Sequence, residues 1–254
     1  DHYLSYLLKK SINPIKVALQ DQFIQPTEFN LTLLERLFNP AKKVHDRLNF
    51  NQRRPDLHYL GYRLDSEASF DPRIVVIENQ FEKRDIVVKD PRYLLVPTGK
   101  KKTGTPIERL LSTLPSNVID KVIGALVPKI PDNANHYLCY DIQPYDIAKG
   151  VKLKDQFQGR SFEVVRALYL CNPAKKIHDG QVSSIVDEKN HLMCYEVKPH
   201  NPLPIPFIAH NQFGIKSLRA VRTEEICIPT VKTPQPSTCT SLDQEGTATV
   251  FDLG

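Results

Sequence analysis

The sequence predicts an all-β protein: two homologous antiparallel β-barrel or sandwich domains, each an internal pseudo-twofold pair of repeats, joined by a short helical insert. Three observations lead there. A His-to-Tyr motif recurs four times, apolar and polar residues alternate with a period of two inside the copies, and 20 prolines against 10 glycines divide 254 residues into short elements. The chain is long enough, and at 41% hydrophobic residues apolar enough, to bury a sizeable core.

The repeats carry the argument. Their first landmark is a tyrosine four residues after a histidine: His2 to Tyr6, His58 to Tyr62, His136 to Tyr140 and His191 to Tyr195. An Asx-Gln-Phe triplet follows, at Asp21, Asn79, Asp155 and Asn211, and each copy closes on a proline, at Pro40, Pro97, Pro173 and Pro229. The distance from the triplet phenylalanine to that proline is 17, 16, 16 and 16 positions. Copies one and three end alike, in Asn39-Pro40-Ala41-Lys42-Lys43-Val44-His45-Asp46 and Asn172-Pro173-Ala174-Lys175-Lys176-Ile177-His178-Asp179. Copies two and four end instead in Val96-Pro97-Thr98 and Ile228-Pro229-Thr230, and the triplet alternates in step, Asp, Asn, Asp, Asn.

The unit is therefore a duplicated pair. It predicts a first β domain over 1–98 (repeats 1–50 and 57–98) and a second over 135–231 (repeats 135–180 and 190–231). Within a copy, Val151, Leu153, Asp155 and Phe157 alternate with Lys152, Lys154 and Gln156, as a strand with one buried face does. Gln158-Gly159 and Gly214 place a tight hairpin turn after the triplet. Residues 99–134 read as a basic loop, Gly99 to Gly104, and a helical linker opened by the capping box Thr105-Pro106-Ile107-Glu108. Residues 232–254 form a Thr/Pro/Ser-rich tail in which Thr247 to Leu253 has the pattern of an edge strand.

Cysteine usage follows the repeats. Cys139 and Cys171 occupy two places of the third copy, and Cys194 and Cys227 the same two of the fourth. Ser5 and Phe38, then Gly61 and Leu95, stand there in the first two copies. Both members of a pair are absent together, as partners of one bond would be, which favours disulfides Cys139–Cys171 and Cys194–Cys227 over the two crossed pairings and predicts an oxidising compartment. No CxxC spacing supports zinc, and Cys239 is left over in the tail.

No catalytic constellation of known type is present: GxSxG, HExxH, calcium-loop and dinucleotide motifs are all absent. The repeat histidines read as structural partners of the tyrosines, and the Asx side chains as turn residues whose oxygens take backbone N–H groups. No metal and no cofactor is expected. The most site-like stretch is the NPAKKxHD segment, read as a loop in which Lys42, Lys43, His45 and Asp46, and their counterparts Lys175, Lys176, His178 and Asp179, cradle an anion or sugar acid. A net charge of +5 is a mild excess that identifies no nucleic-acid partner, and no apolar run has the roughly 18 residues of a membrane span. The first residues lack the basic and hydrophobic regions of a signal peptide, and because Asp1 falls almost on the first residue of a repeat, a mature product already cut is expected.

The pattern His-x-x-Cys-Tyr, Asp/Asn-Gln-Phe-Gly, Leu-Cys-x-Pro, seen best at His191–Tyr195, Asn211–Gly214 and Cys227–Thr230, resembles tandem repeats of unknown function in exported bacterial proteins. That resemblance covers most of 1–231, implies export and surface work, and supplies no site residues. The expected function is a non-catalytic secreted or cell-surface structural protein, a surface-layer or filament subunit that contacts other chains through tail residues 233–254. The alternatives are a carbohydrate- or anion-binding module, with surface polysaccharide as partner, and a hydrolase using an unrecognised acid pair.

Overall fold

The computed structural model describes residues 1–65, 69–103, 115, 118, 129, 133–234, 239–242 and 248–251. They form fourteen strands: β1 (His2–Gln20), β2 (Thr27–His45), β3 (Leu48–Phe50), β4 (His58–Asp65), β5 (Arg73–Glu78), β6 (Lys83–Lys102), β7 (His136–Lys154), β8 (Gly159–His178), β9 (Gln181–Ser183), β10 (His191–Lys198), β11 (Pro202–Asn211), β12 (Gly214–Pro234), β13 (Cys239–Leu242) and β14 (Ala248–Phe251). Twelve share one antiparallel sheet, and among the described residues β13 and β14 pair only with each other. The all-β antiparallel class is as expected. No helix among the described residues is long and apolar enough to cross a membrane.

The partition differs from the expectation. Strands β1, β2, β4, β6, β7, β8, β10 and β12 pair each with the next, and β12 pairs back with β1, closing a single ring of eight. Each repeat contributes two strands to it, so neither repeat pair closes a barrel of its own. Eight strands enclose an interior that side chains can just fill, and four do not. The supposed boundary loop is also strand: Gly99–Lys102 ends β6 and pairs with Phe207–His210 of β11. The helix expected after Thr105 falls on residues outside the described set.

Inside the ring, equivalent positions of the four repeats meet in layers. Tyr3, Tyr59 and Tyr137 touch in turn at centroid distances of 5.3 and 5.5 Å, although their strands are not neighbours. Below them lie both disulfides, Cys139–Cys171 and Cys194–Cys227, each joining residues in register across adjacent strands. In the same layer Phe38 fills the space that the cysteines occupy elsewhere. A Cβ on Gly61 would come to 3.0 Å from the Phe38 ring and from the Arg36 Cβ, so any larger residue there makes those neighbours give way. The third layer is Arg36, Tyr93, Tyr169 and Glu225, all buried. Arg36 Nε lies 3.1 Å from Glu225 Oε1, and the hydroxyls of Ser5 and Tyr169 donate to Oε2 at 2.9 and 2.5 Å. Burial pushes the Glu225 carboxyl up, but Arg36 and the two hydroxyls hold it below the ordinary carboxylate value.

The long strands overshoot the ring, and their distal halves form four hairpin arms, β1–β2, β5–β6, β7–β8 and β11–β12. Each arm ends at an Asx-Gln-Phe triplet and crosses to the repeat two places on. The tip of the first arm, Ala18–Gln20, pairs with Lys175–Ile177 of the third repeat, and the tip of the third, Lys152–Lys154, pairs with Lys42–Val44 of the first. Arms two and four do the same with Val231–Pro234 and Gly99–Lys102. The outward residues of the ring, such as Leu4, Leu60, Leu138 and Met193, are thereby covered by Val17, Leu19, Val151, Leu153 and Phe207 of the arms.

The disulfides close loops of 32 and 33 residues. Replacing Cys194 and Cys227 together by alanine is expected to lower the unfolding free energy by about 3 kcal/mol, from restored disorder in the unfolded chain. Urea titration of that variant beside the parent checks it.

Candidate functional site

At each arm tip the Asx side chain does two jobs. Its Oδ1 takes the backbone N–H groups of the turn: Phe23 and Ile24 on Asp21 at 2.7 and 3.1 Å, Phe157 and Gln158 on Asp155 at 2.9 Å each. Asn79 and Asn211 act likewise. The second atom locks the arm to the opposite repeat. Asp155 Oδ2 accepts from Tyr6 and Asn39 at 2.8 and 2.9 Å, and Asp21 accepts from Asn172 on Oδ2 at 2.9 Å and from Tyr140 on Oδ1 at 3.0 Å. In the other pair the polarity is reversed: Asn79 Nδ2 donates to Tyr195 and Thr230 at 2.7 and 3.4 Å, and Asn211 Nδ2 to Tyr62 and Thr98 at 3.0 and 3.3 Å. The expected His–Tyr pair does not form, because each tyrosine hydroxyl is held by an Asx two repeats away.

Two of the histidines bond the triplet glutamine of the next repeat instead, His2 with Gln80 at 3.1 Å and His136 with Gln212 at 3.3 Å, while His191 bonds Asn172 of the preceding repeat at 3.1 Å. Burial, aided by a lysine of the same repeat, holds His2, His136 and His191 down to about 3 and His58 well below its ordinary value. Those lysines, Lys43, Lys100, Lys176 and Lys232, stand over Phe81, Phe157, Phe213 and Phe23 at 4.3, 4.1, 5.7 and 4.1 Å from the ring centroids. Burial lowers Lys100 to about 7 and the other three to about 8.

The NPAKKxHD segments are strand, not loop, for the alternation that buries Lys43 and His45 while leaving Lys42 exposed is a strand's. Asp46 and Asp179 begin the tight turns into β3 and β9: Asp46 and Arg47 have φ of 47° and 65°, Asp179 and Gly180 of 48° and 73°. His45 and His178 bond the carbonyls of Gly150 and Lys16 at 3.1 and 3.0 Å, and each lies near its own aspartate, at 3.2 and 3.3 Å. The two segments are set apart, each against an arm of the other.

Two cavities stand out. A cleft of about 630 Å³ lies where the third arm meets the first segment, lined by Lys42, Lys43, Val44, Asn49, Phe50, Asn51, Lys152, Leu153, Lys154, Gly159, Arg160 and Ser161. It gathers Lys42 and Lys43, but neither His45 nor Asp46, and adds arm cations that sequence reasoning missed. A second cavity, of about 810 Å³, is the barrel mouth, with Tyr3, Tyr59 and Tyr137 at its floor and amides such as Asn49, Gln52 and Asn135 around it. The signal for that floor was present, as the residue after the first histidine of each copy.

Residues 111–229, the third and fourth repeats with part of the segment before them, match a family described as a repeat of unknown function (DUF7450). No curated protein and no solved structure matches the chain.

Proposed function

We propose that the chain is a non-catalytic structural protein of an exported or cell-surface assembly, joined to further copies through its tail hairpin. The observation that carries this is what the repeated polar side chains do. Tyrosine, Asx and glutamine of one copy hold groups of another, so they act as fasteners of the arms and do not face a substrate. The two disulfides support an oxidising compartment. The tail supports assembly: among the described residues β13 and β14 pair with each other, where the sequence suggests a single donated strand, and with no strand of the barrel. A lone two-stranded hairpin is marginal in water, and its edges carry backbone groups that a neighbouring strand can satisfy.

Truncation after Pro234 keeps the strand pairing of β12 with β5 intact. Light scattering in non-reducing buffer is expected to show the full chain, carrying Cys239→Ser to prevent cross-linking, as an oligomer and the truncated chain as a monomer with the same denaturation midpoint. Equal masses for the two would sink the proposal.

A further inference from the structure

The Lys232 ammonium does more than cap an aromatic ring. It donates to Asn172 Oδ1 at 2.8 Å, and His191 Nδ1 lies 3.1 Å from the same oxygen. Two donors on that oxygen fix the direction of the amide, so Nδ2 faces Asp21 Oδ2, at 2.9 Å. With a C=O bond of about 1.2 Å, the lysine's hydrogen bond holds Nζ about 3–4 Å from Asn172 Cγ, close to an attack distance. An amine, a polarised amide carbon and a carboxyl against the leaving nitrogen are thus gathered from β12, β8 and the tip of the first arm.

The surroundings suit a reaction between them. Lys232 is half-buried and stands over the Phe23 ring at 4.1 Å, and Arg73 stands over the same ring at 5.6 Å. A lysine desolvated beside another cation gives up its proton readily and becomes a nucleophile. Burial, aided by Arg73 against the pull of Asp21, lowers Lys232 to about 8. Burial also pushes the Asp21 carboxyl up, toward the neutral acid that can donate a proton.

The parts occur as a set. Asp21 and Asp155 face Asn172 and Asn39. In the other two repeats Val96 and Ile228 take the place of that asparagine, and Asn79 and Asn211 that of the aspartate. Acid and amide are therefore both missing at the arms whose Phe81 and Phe213 receive Lys43 and Lys176. In the twin site Lys100 donates to Gln156 at 2.7 Å, and Asn39 Oδ1 is left without a partner among the described residues. Gln22, the counterpart of Gln156, turns instead to the Glu188 carbonyl at 3.5 Å, which leaves Lys232 to the amide.

We propose that Lys232 and Asn172 join in an amide cross-link, closed by the protein itself, that ties β12 to β8 across β10. This does not rest on the assembly proposed above. The Lys232 amine, having given one proton to solvent, attacks Asn172 Cγ, and Oδ1 becomes an oxyanion facing the His191 Nδ1–H. The added nitrogen gives a second proton to solvent. Neutral Asp21 passes its proton to Nδ2, the Cγ–Nδ2 bond breaks, the carbonyl re-forms and ammonia leaves. Asp21 and the ammonia each recover a proton from solvent. In sum, an ammonium group and a primary amide become a secondary amide and an ammonium ion, with nothing oxidised or reduced.

The test is the mass of the full chain with its disulfides reduced, followed by peptide mapping. The parent is expected to weigh one ammonia less than its sequence and to yield a branched peptide joining the segments that hold Asn172 and Lys232. Lys232→Arg and Asn172→Ala are expected to restore the full mass and two separate peptides. Asp21→Asn keeps the turn-forming Oδ1, as Asn79 and Asn211 do, and is expected to fold, by circular dichroism, yet to stay unlinked over the time in which the parent links fully. A folded parent that keeps its full sequence mass after prolonged incubation at mildly alkaline pH overturns the proposal. So does an ammonia loss that survives Lys232→Arg, which would place it in a succinimide formed by an asparagine with its own backbone.

Discussion

Acidification from pH 7.5 to 4.5 is expected to take away several kcal/mol of this protein's stability, although no salt bridge on its surface need break. His2, His136 and His191 are held down to about 3 in the fold, against an ordinary value of 6.5. Between those values the unfolded chain binds protons that the folded one refuses, so stability present above pH 6.5 is lost as pH falls toward 3. Each histidine costs up to about 1.4 kcal/mol per pH unit in that window. Allowing half for relaxation, three of them over two units remove roughly 4 kcal/mol, against a typical total of 5–15 kcal/mol. Asp21 works the other way, since burial pushes its carboxyl up and the folded state takes its proton first, but it is one group. At alkaline pH the four buried lysines, lowered to about 7 or 8 from 10.5, add stability as pH rises toward 10.5. The buried tyrosines, raised above 10.0, take it away beyond that. The maximum should therefore fall near pH 9–10, above the common range. Urea midpoints by circular dichroism across pH 4 to 10 measure this. A midpoint flat from pH 7.5 to 4.5 would show that the histidines are solvated.

Much of this architecture was legible because the repeat exposes what each position shares. The disulfides could be paired because both cysteines vanish together from copies one and two. The turn role of the Asx oxygen followed from its place before a hairpin. The likeness of copy one to copy three reads as a duplicated two-repeat domain, yet Asp21 bonds Asn172 and Asp155 bonds Asn39, so the alike copies also clasp each other through their arms. Closure was out of reach for a different reason. Strand number is a property of the whole ring, and an alternating pattern reads the same whether four strands or eight complete it. The meeting of Lys232 with Asn172 depends on whether Gln22 turns to the lysine or to Glu188, and Asp21 reaches Asn172 only because the first arm crosses to the third repeat. Neither contact is local in sequence.

The donor–acceptor complementarity between opposite repeats yields the last large effect. Asp155 Oδ2 receives two donors, Tyr6 and Asn39. Asp155→Asn keeps the turn-forming Oδ1 and replaces Oδ2 by an amide that meets the Asn39 amide donor to donor in a buried place. The expected loss is about 2 kcal/mol, the cost of an unsatisfied buried polar group. Asn39→Asp alone brings a second carboxylate to about the same 2.9 Å separation and should cost more, near 3 kcal/mol. Combined, the two changes restore one donor and one acceptor with the direction reversed, which is the arrangement that Asn79 and Thr230 already use in the other pair of arms. The double variant should then lie within about 1 kcal/mol of the parent, a coupling of several kcal/mol by denaturant cycle. Additive losses would mean that the arms are held by their apolar faces alone and that the alternation of Asp with Asn is idle. A coupled result would establish that the arm tips recognise their opposite repeats by polarity, which keeps each arm from docking on an adjacent repeat, where its Asx atom would meet the wrong partner.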